Sequence, residues 1–400
     1  MTAKSIGRLV TSAAEIGAAR WNALANPGGL AEPHPFTTFE FFHALEASGS
    51  ATARTGWQPC HLLLDAPPGL RSLESELQPP PPPSGGGPLG LMPLYLKSHS
   101  YGEYVFDHAW ADALERAGGD YYPKLQCAVP FTPVTGPRLL AADDDMRTTL
   151  LKTAAGTVQQ LKASSLHITF PTEEEWKLAG QAGYLLRTGQ QFHWENRGYQ
   201  SFDQFLGELS SSRRKNLRKE RASVREAGIE FDWLTGSDIT EAHWDRFFDF
   251  YMDTGGRKWG TPYLTREFFS RLGASLGQQT LLIMARRGRE YIAGALNLFG
   301  DGVLFGRNWG TNEYVPFLHF ETCYYQAIDF AIARGLKRVE AGAQGEHKLL
   351  RGYMPVPTYS AHIIAHPGLA RAVDQFLAAE REAVQENLAD LAAHGPFRKA

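Results

Sequence analysis

Hydrophobic positions recur at helical spacing around Ala13 to Leu24 and Phe39 to Ala47, which predicts two helices near the start of the chain. Ile6, Leu9, Val10 and Ile16 read as the first core-facing positions. Trp57 to Leu64 (WQPCHLLL) and Leu89 to Lys97 (LGLMPLYLK) are apolar runs of strand length. Between them the stretch PPPPPSGGGP at 79–88 can form neither helix nor sheet, and it reads as the tip joining two strands of one domain. Thr148 to Leu161 is spaced as a helix, with Leu150, Leu151, Val158 and Leu161 as its apolar stripe, and Leu166 to Phe170 reads as a strand. This first part closes near Asn196.

The second part opens with a helical stretch, Phe202 to Ala227, followed by a strand at Ile229 to Leu234 and helices through Trp244 to Tyr251 and Arg266 to Leu272. Thr280 to Ala285, Tyr291 to Phe299 and Val303 to Trp309 then read as a three-strand meander with short turns. A long helix, Phe317 to Arg334, stops at Gly335, where glycine tolerates the left-handed helix end. Strands at Lys337 to Ala341 and Thr358 to Ile364 and a last amphipathic helix, Leu369 to Ala393, complete the pattern. Such an order predicts an α/β (α+β) fold of mixed sheets covered by helices, and it is similar to the order of the GNAT acyltransferases.

Four hundred residues exceed one ordinary core, so two domains are expected: 1–196 with the proline-rich loop, 197–366 opened by a basic helix, and a C-terminal helix in 367–400. The composition, 43% hydrophobic and 21% charged, excludes a disordered or collagen-like chain. A net charge of -3 means that any anionic partner must be met by a local patch. Cys60, Cys127 and Cys323 are widely separated, which excludes a disulfide framework and a cysteine zinc site, so no metal is expected. The absence of a long apolar run argues against membrane insertion and for a cytoplasmic protein.

Several longer motifs carry a family resemblance. Tyr121 to Leu140, the basic run Arg213 to Arg225, GRNWG at 306–310, HFETCYYQAI at 319–328 and EAGAQGEHKLLRGY at 340–353 resemble the FemAB-like family, named for peptidoglycan biosynthesis or recognition. That family is similar to the Fem transferases, whose two GNAT-like domains move an amino acid from aminoacyl-tRNA to the peptide stem of a cell-wall precursor. The resemblance therefore implies two tandem GNAT-like domains and an acyl or aminoacyl transferase acting on an amine. Its donor is expected to be aminoacyl-tRNA or acyl-CoA, a co-substrate and not a permanently bound cofactor. The acceptor is a small-molecule or peptide amine of peptidoglycan-precursor type, and the alternative is a catalytically silent binding module.

Candidate residues fall in four places. Arg213 to Arg225 holds seven basic residues against one acid, and Arg214, Arg218 and Arg221 lie on one stripe suited to phosphate, as in the end of a tRNA. Arg307 begins Arg-x-x-Gly between a strand and a helix, but Asn312 stands where the GNAT pyrophosphate turn carries a small residue. Gln344, Glu346, His347, Lys348 and Arg351 gather beside three glycines at a strand end. There the resemblance implies a cation, Lys348 or Arg351, for the charge on an attacked carbonyl, and His347 or Glu346 can take a proton from an amine. Lys124 and Arg138 flank a proline-rich turn and can reach a ligand between the domains. His319, Glu321 and Cys323 are spaced wrongly for a metal, and no Ser-His-Asp signature stands in the sequence.

Overall fold

The computed structural model of the chain describes residues 6–66, 88–259, 262–342 and 345–398. Its strands, in chain order, are β1 (Ile6–Val10), β2 (Trp57–Pro59), β3 (His61–Asp65), β4 (Pro88–Met92), β5 (Leu94–Lys97), β6 (Lys124–Cys127), β7 (Leu140–Ala141), β8 (Ser165–Thr169), β9 (Leu185–Glu195), β10 (Ile229–Thr235), β11 (Thr280–Arg287), β12 (Glu290–Gly300), β13 (Val303–Thr311), β14 (Arg338–Glu340) and β15 (Met354–Ile364). Four of them make a small sheet, β1-β3-β4-β7, and eleven make a large one, β10-β11-β12-β13-β14-β9-β15-β8-β6-β5-β2. The expected α/β class with mixed sheets is therefore what the chain adopts.

The two apolar runs around the proline-rich tip pair as a long hairpin that bends from one sheet into the other. β3 pairs with β4 in the small sheet and β2 with β5 in the large one, and the bend falls at Cys60 and at Pro93. A proline cannot donate to a ladder, so Pro93 marks the corner. Residues 79–87 of the tip lie outside the described residues.

Each half of the chain repeats one unit: an antiparallel strand, a helix, and a strand parallel to the first. In the first half the unit is β6, helix Asp144–Gln160 and β8; in the second it is β13, the helix at 318–333 and β14. The halves then exchange their last strands. β9, which follows β8 in the chain, pairs with β14, whereas β15, which follows β14, pairs with β8. β9 and β15 also pair with each other, from Met354↔His193 to His362↔Leu185, so the sheet runs unbroken across residue 196.

β15 carries Pro355 and Pro357 although it is central. Tyr359 accepts a hydrogen bond from the Phe170 N–H on the β8 side, so Pro355 and Pro357, of the same parity, face that flank too. β8 has ended there, and no N–H is required of them.

Packing ties the halves together. Phe36 meets Phe305 at 5.3 Å between ring centroids and Phe41 meets Phe268 at 5.8 Å. The expected helix Ala13 to Leu24 is broken at Gly17 into Ala13–Ile16 and Ala18–Ala25, and Phe202 to Ala227 is two helices, Phe202–Glu208 and Ser211–Glu226. The helix at 318–333 contains a π turn, Glu321–Tyr325. Ile6 is exposed, while Val10 and Ile16 are buried. No helix among the described residues is long and apolar enough to cross a membrane.

Candidate functional site

β14 ends at Glu340, and the chain turns through Gly342 and Gly345 into the short helical run Glu346–Arg351 before β15. Gly345 has φ 117°, and an added Cβ would lie 2.4 Å from the His347 ring, so only glycine fits the turn. The turn stands where β13 and β14 part. They pair only as Val303–Phe305 against Arg338–Glu340, and β13 continues to Thr311 without its neighbour.

The candidates of this turn take different places. Glu346 opens the helical run. His347 Nε2 meets the Tyr324 hydroxyl at 2.9 Å, and burial, then the charges of Arg351 and Lys348, hold its imidazole below the usual range. Lys348 is buried and donates from Nζ to the Gly342 carbonyl at 2.9 Å. Burial brings its ammonium down to about 8. Arg351 turns to the basic helix instead, donating to Glu220 Oε1 at 2.8 Å and lying 3.5 Å over the Phe320 ring. Gln344 lies outside the described residues.

Beneath the turn sits a carboxyl that sequence reading gave no role. Glu340 is buried, and neither of its oxygens has a hydrogen-bond partner. The Arg338 guanidinium approaches Oε1 to 3.0 Å without hydrogen-bonding alignment, and His193 Nε2 stands 3.8 Å from Oε2. Burial pushes the Glu340 carboxyl up to about 7, while burial, Arg338 and Lys348 push His193 down to about 3. His193 belongs to β9, for which the sequence pattern predicts no strand, so nothing in the sequence placed it opposite Glu340.

A cavity of about 540 Å³ lies between the β9–β15 centre and the C-terminal helix Pro367–Ala393, lined among others by Tyr104, Arg187, Gln191, Gly345, Ser360 and Asn387. The turn contributes Gly345 to it, and the side chains of His347, Lys348 and Arg351 are not among the lining residues.

The other expected ligand contacts are mostly internal. Lys124 is fully buried and bonded to Ser100 at 2.7 Å, Glu103 at 2.7 Å and Asp107, so it closes an ion cluster and does not face a cleft. Arg138 is 1% exposed and donates to the carbonyls of Val134, Gly136, Pro137 and Thr169, which staples the proline-rich turn. Arg307 is half-buried and donates to the Phe131 carbonyl at 2.5 Å. Of the basic stripe, Arg221 is held by Glu321 at 2.9 Å and Asp329 at 2.6 Å and lies over Phe202. Arg218 pairs with Asp203 at the surface, and Arg214 is half-exposed. Among the described residues no group of three or more His, Cys, Asp or Glu could hold a metal ion.

The fold is similar to that of several solved structures. FemX is 11% identical, with 90% of this chain and 98% of that one covered and a TM-score of 0.53. L-PGS from Bacillus licheniformis is 11% identical over 86% of this chain and 98% of that one, with a TM-score of 0.49. A tandem GNAT protein from the clavulanic acid biosynthesis pathway is 9% identical over 91% and 99%, with a TM-score of 0.47. At 11% identity the likeness to FemX is one of fold. No curated protein matches the chain. The family description that does match, peptidoglycan biosynthesis/recognition, spans residues 12–399, nearly the whole of both halves and the exchanged strands between them, and the chain belongs to the FemAB-like family.

Proposed function

We propose that the protein is an acyl or aminoacyl transferase that moves an activated acyl group onto an amine, with the turn after β14 as its reactive centre. The observation that carries this reading is Lys348, a buried ammonium fixed on the Gly342 carbonyl at the point where β13 and β14 separate. A preorganised cation in a water-poor site favours the oxyanion that forms when an amine attacks an acyl carbonyl. Arg351, the other cation, is already committed to Glu220. The amine's proton goes to Glu340, whose carboxyl near 7 matches the working range of a base, or to His347.

Family membership supports a peptidoglycan-precursor-like acceptor, and the resemblance supports aminoacyl-tRNA or acyl-CoA as donor. Arg214 and Arg218, at the outer edge of the basic helix, are the cations placed to meet donor phosphates. The test is single-turnover transfer by folded Lys348→Ala and Arg351→Ala proteins, screened against both donor classes with a lysine-bearing stem peptide. Loss of about 100-fold or more with Lys348→Ala is expected, and equal rates in wild type and Lys348→Ala would remove the turn from the chemistry.

One observation favours a second reading. The large cavity is lined by Gly345 but by no side chain of His347, Lys348 or Arg351, which suits a silent binding module for cell-wall precursors or phosphorylated ligands. Binding of such a ligand without turnover of any donor would select it.

A further inference from the structure

The cavity between the β9–β15 centre and the C-terminal helix has its own chemistry, apart from the turn. Ser360 lines it, and its Oγ lies 3.0 Å from His362 Nε2. His362 Nδ1 lies 2.7 Å from His167 Nδ1, and the two residues stand directly opposite each other on β15 and β8. His167 Nε2 in turn meets Ser165 Oγ at 2.7 Å and the Tyr121 hydroxyl at 3.3 Å, and lies 3.7 Å from Asp107 Oδ2. Tyr121 donates to that same carboxylate oxygen at 2.7 Å.

Two neutral imidazoles that meet Nδ1 to Nδ1 share one hydrogen. With that hydrogen on His362, its Nε2 is bare and accepts the Ser360 hydroxyl, while the His167 Nε2–H points to Ser165, Tyr121 and Asp107. Burial holds both imidazoles below the usual range, so both are neutral in the resting pair. Arg187 is the register partner of Ser360 on β9, so both side chains leave the same face of the sheet, and both line the cavity. Its guanidinium is oriented by Glu380, at 2.8 Å and 2.7 Å, and by the Phe106 carbonyl.

We infer that Ser360 is a nucleophile for an activated acyl ester that enters this cavity, with His362 as its base and His167 and Asp107 as positioning residues. Ser360 Oγ attacks the carbonyl carbon and its proton passes to His362 Nε2. The ester C–O bond breaks, and His362 returns the proton to the leaving alkoxide, which departs as an alcohol. Water then attacks the acyl-serine, its proton travels through His362 to Ser360 Oγ, and a carboxylic acid is released. This is an acyl-ester hydrolase activity, and it does not rest on the transferase reading, because Lys348 takes no part.

The test uses the full chain and an alkyl fluorophosphonate, whose P–F bond a serine nucleophile of this kind breaks with loss of fluoride. One adduct per chain is expected by intact mass, with peptide mapping at Ser360 and none in Ser360→Ala. Labelling by His362→Gln should be slower by about 100-fold or more. His167→Gln leaves serine and base in place and should move the midpoint of the labelling rate against pH, which a merely structural role would not do. Arg187, Lys124 and Asp107 are the charged groups acting on the imidazole pair in that titration. An unlabelled wild-type chain, an adduct on another residue, or an undiminished rate in folded His362→Gln overturns the inference, whatever the outcome at Lys348.

Discussion

Glu340 is a carboxyl without hydrogen-bond donors in a place water does not reach, and its cost should be visible in stability as well as in chemistry. Its folded pKa, about 7, stands above the ordinary 4.5. An acid so raised holds its proton in the folded state while the unfolded chain has already released it, so wild-type stability falls as pH rises from the unfolded value to the folded one. The difference corresponds to roughly 3 kcal/mol. Glu340→Gln cannot ionise, so its stability relative to wild type should grow by about that amount between pH 4.5 and 8, as read by urea denaturation at the two pH values; parallel pH curves would contradict it. Lys124 makes the opposite case. Its ammonium bonds one oxygen each of Glu103 and Asp107 inside the first half; burial still pushes Glu103 up to about 7, but although burial also pushes the Asp107 carboxyl up, Lys124 and then His167 hold it well below the usual range. Lys124→Met would leave the buried Asp107 carboxylate without its cation, while Lys97 still stands 3.7 Å from Glu103, and should cost about 3–5 kcal/mol, read by urea denaturation.

At the scale of the element, the helix Ser211–Glu226 is two things at once. Leu217 and Val224 bury one face, Arg221 bridges Glu321 and Asp329 on the helix at 318–333, and Glu220 holds Arg351. Arg214 and Arg218 lie outward. Salt-sensitive anion binding should therefore separate from folding within one stripe. Arg214→Ala with Arg218→Ala should weaken binding of a phosphate-bearing ligand and leave stability within about 0.5 kcal/mol. Arg221→Ala strands the buried Glu321 and should destabilise by about 3 kcal/mol, measured by urea denaturation. If the outward pair destabilises as much as Arg221→Ala, the division of labour is wrong. A second element-level feature is the closeness of β13 to the helix Glu241–Trp259: a Cβ on Gly310 would lie 2.2 Å from the Phe250 carbonyl. That is why the glycine of GRNWG stands there whether or not a ligand passes by.

For the whole molecule, the exchange of β9 and β15 makes the halves mutually dependent. A piece ending at residue 196 would lack the partner that fills the gap between β8 and β9, and would expose Phe36 and Phe41 where Phe305 and Phe268 cover them. Expressed alone, residues 1–196 should fail to unfold cooperatively, and co-expression with 197–400 should restore a soluble complex; a stable, monomeric first half would show that the exchange is dispensable. The sequence by itself determined the elements whose signal is local: the 3.6-residue period of Phe39–Ala47 and Leu369–Ala393, the meander β11 to β13 with its short turns, the hairpin around the proline-rich tip, and the glycine-rich turn after β14. It also determined the family, through motifs long enough to stand alone. Tertiary structure alone decided what depends on register between distant strands. β9 (LLRTGQQFHWE) has neither a helical nor a clean alternating pattern, because it is covered by neighbours from both halves instead of by one apolar core. For the same reason the pairs His193–Glu340, Arg351–Glu220 and His362–His167 were invisible in the sequence. Each is assembled by hydrogen bonds and burial across chain separations that no spacing rule spans, and burial, which sets their proton affinities, exists only once the sheet has closed.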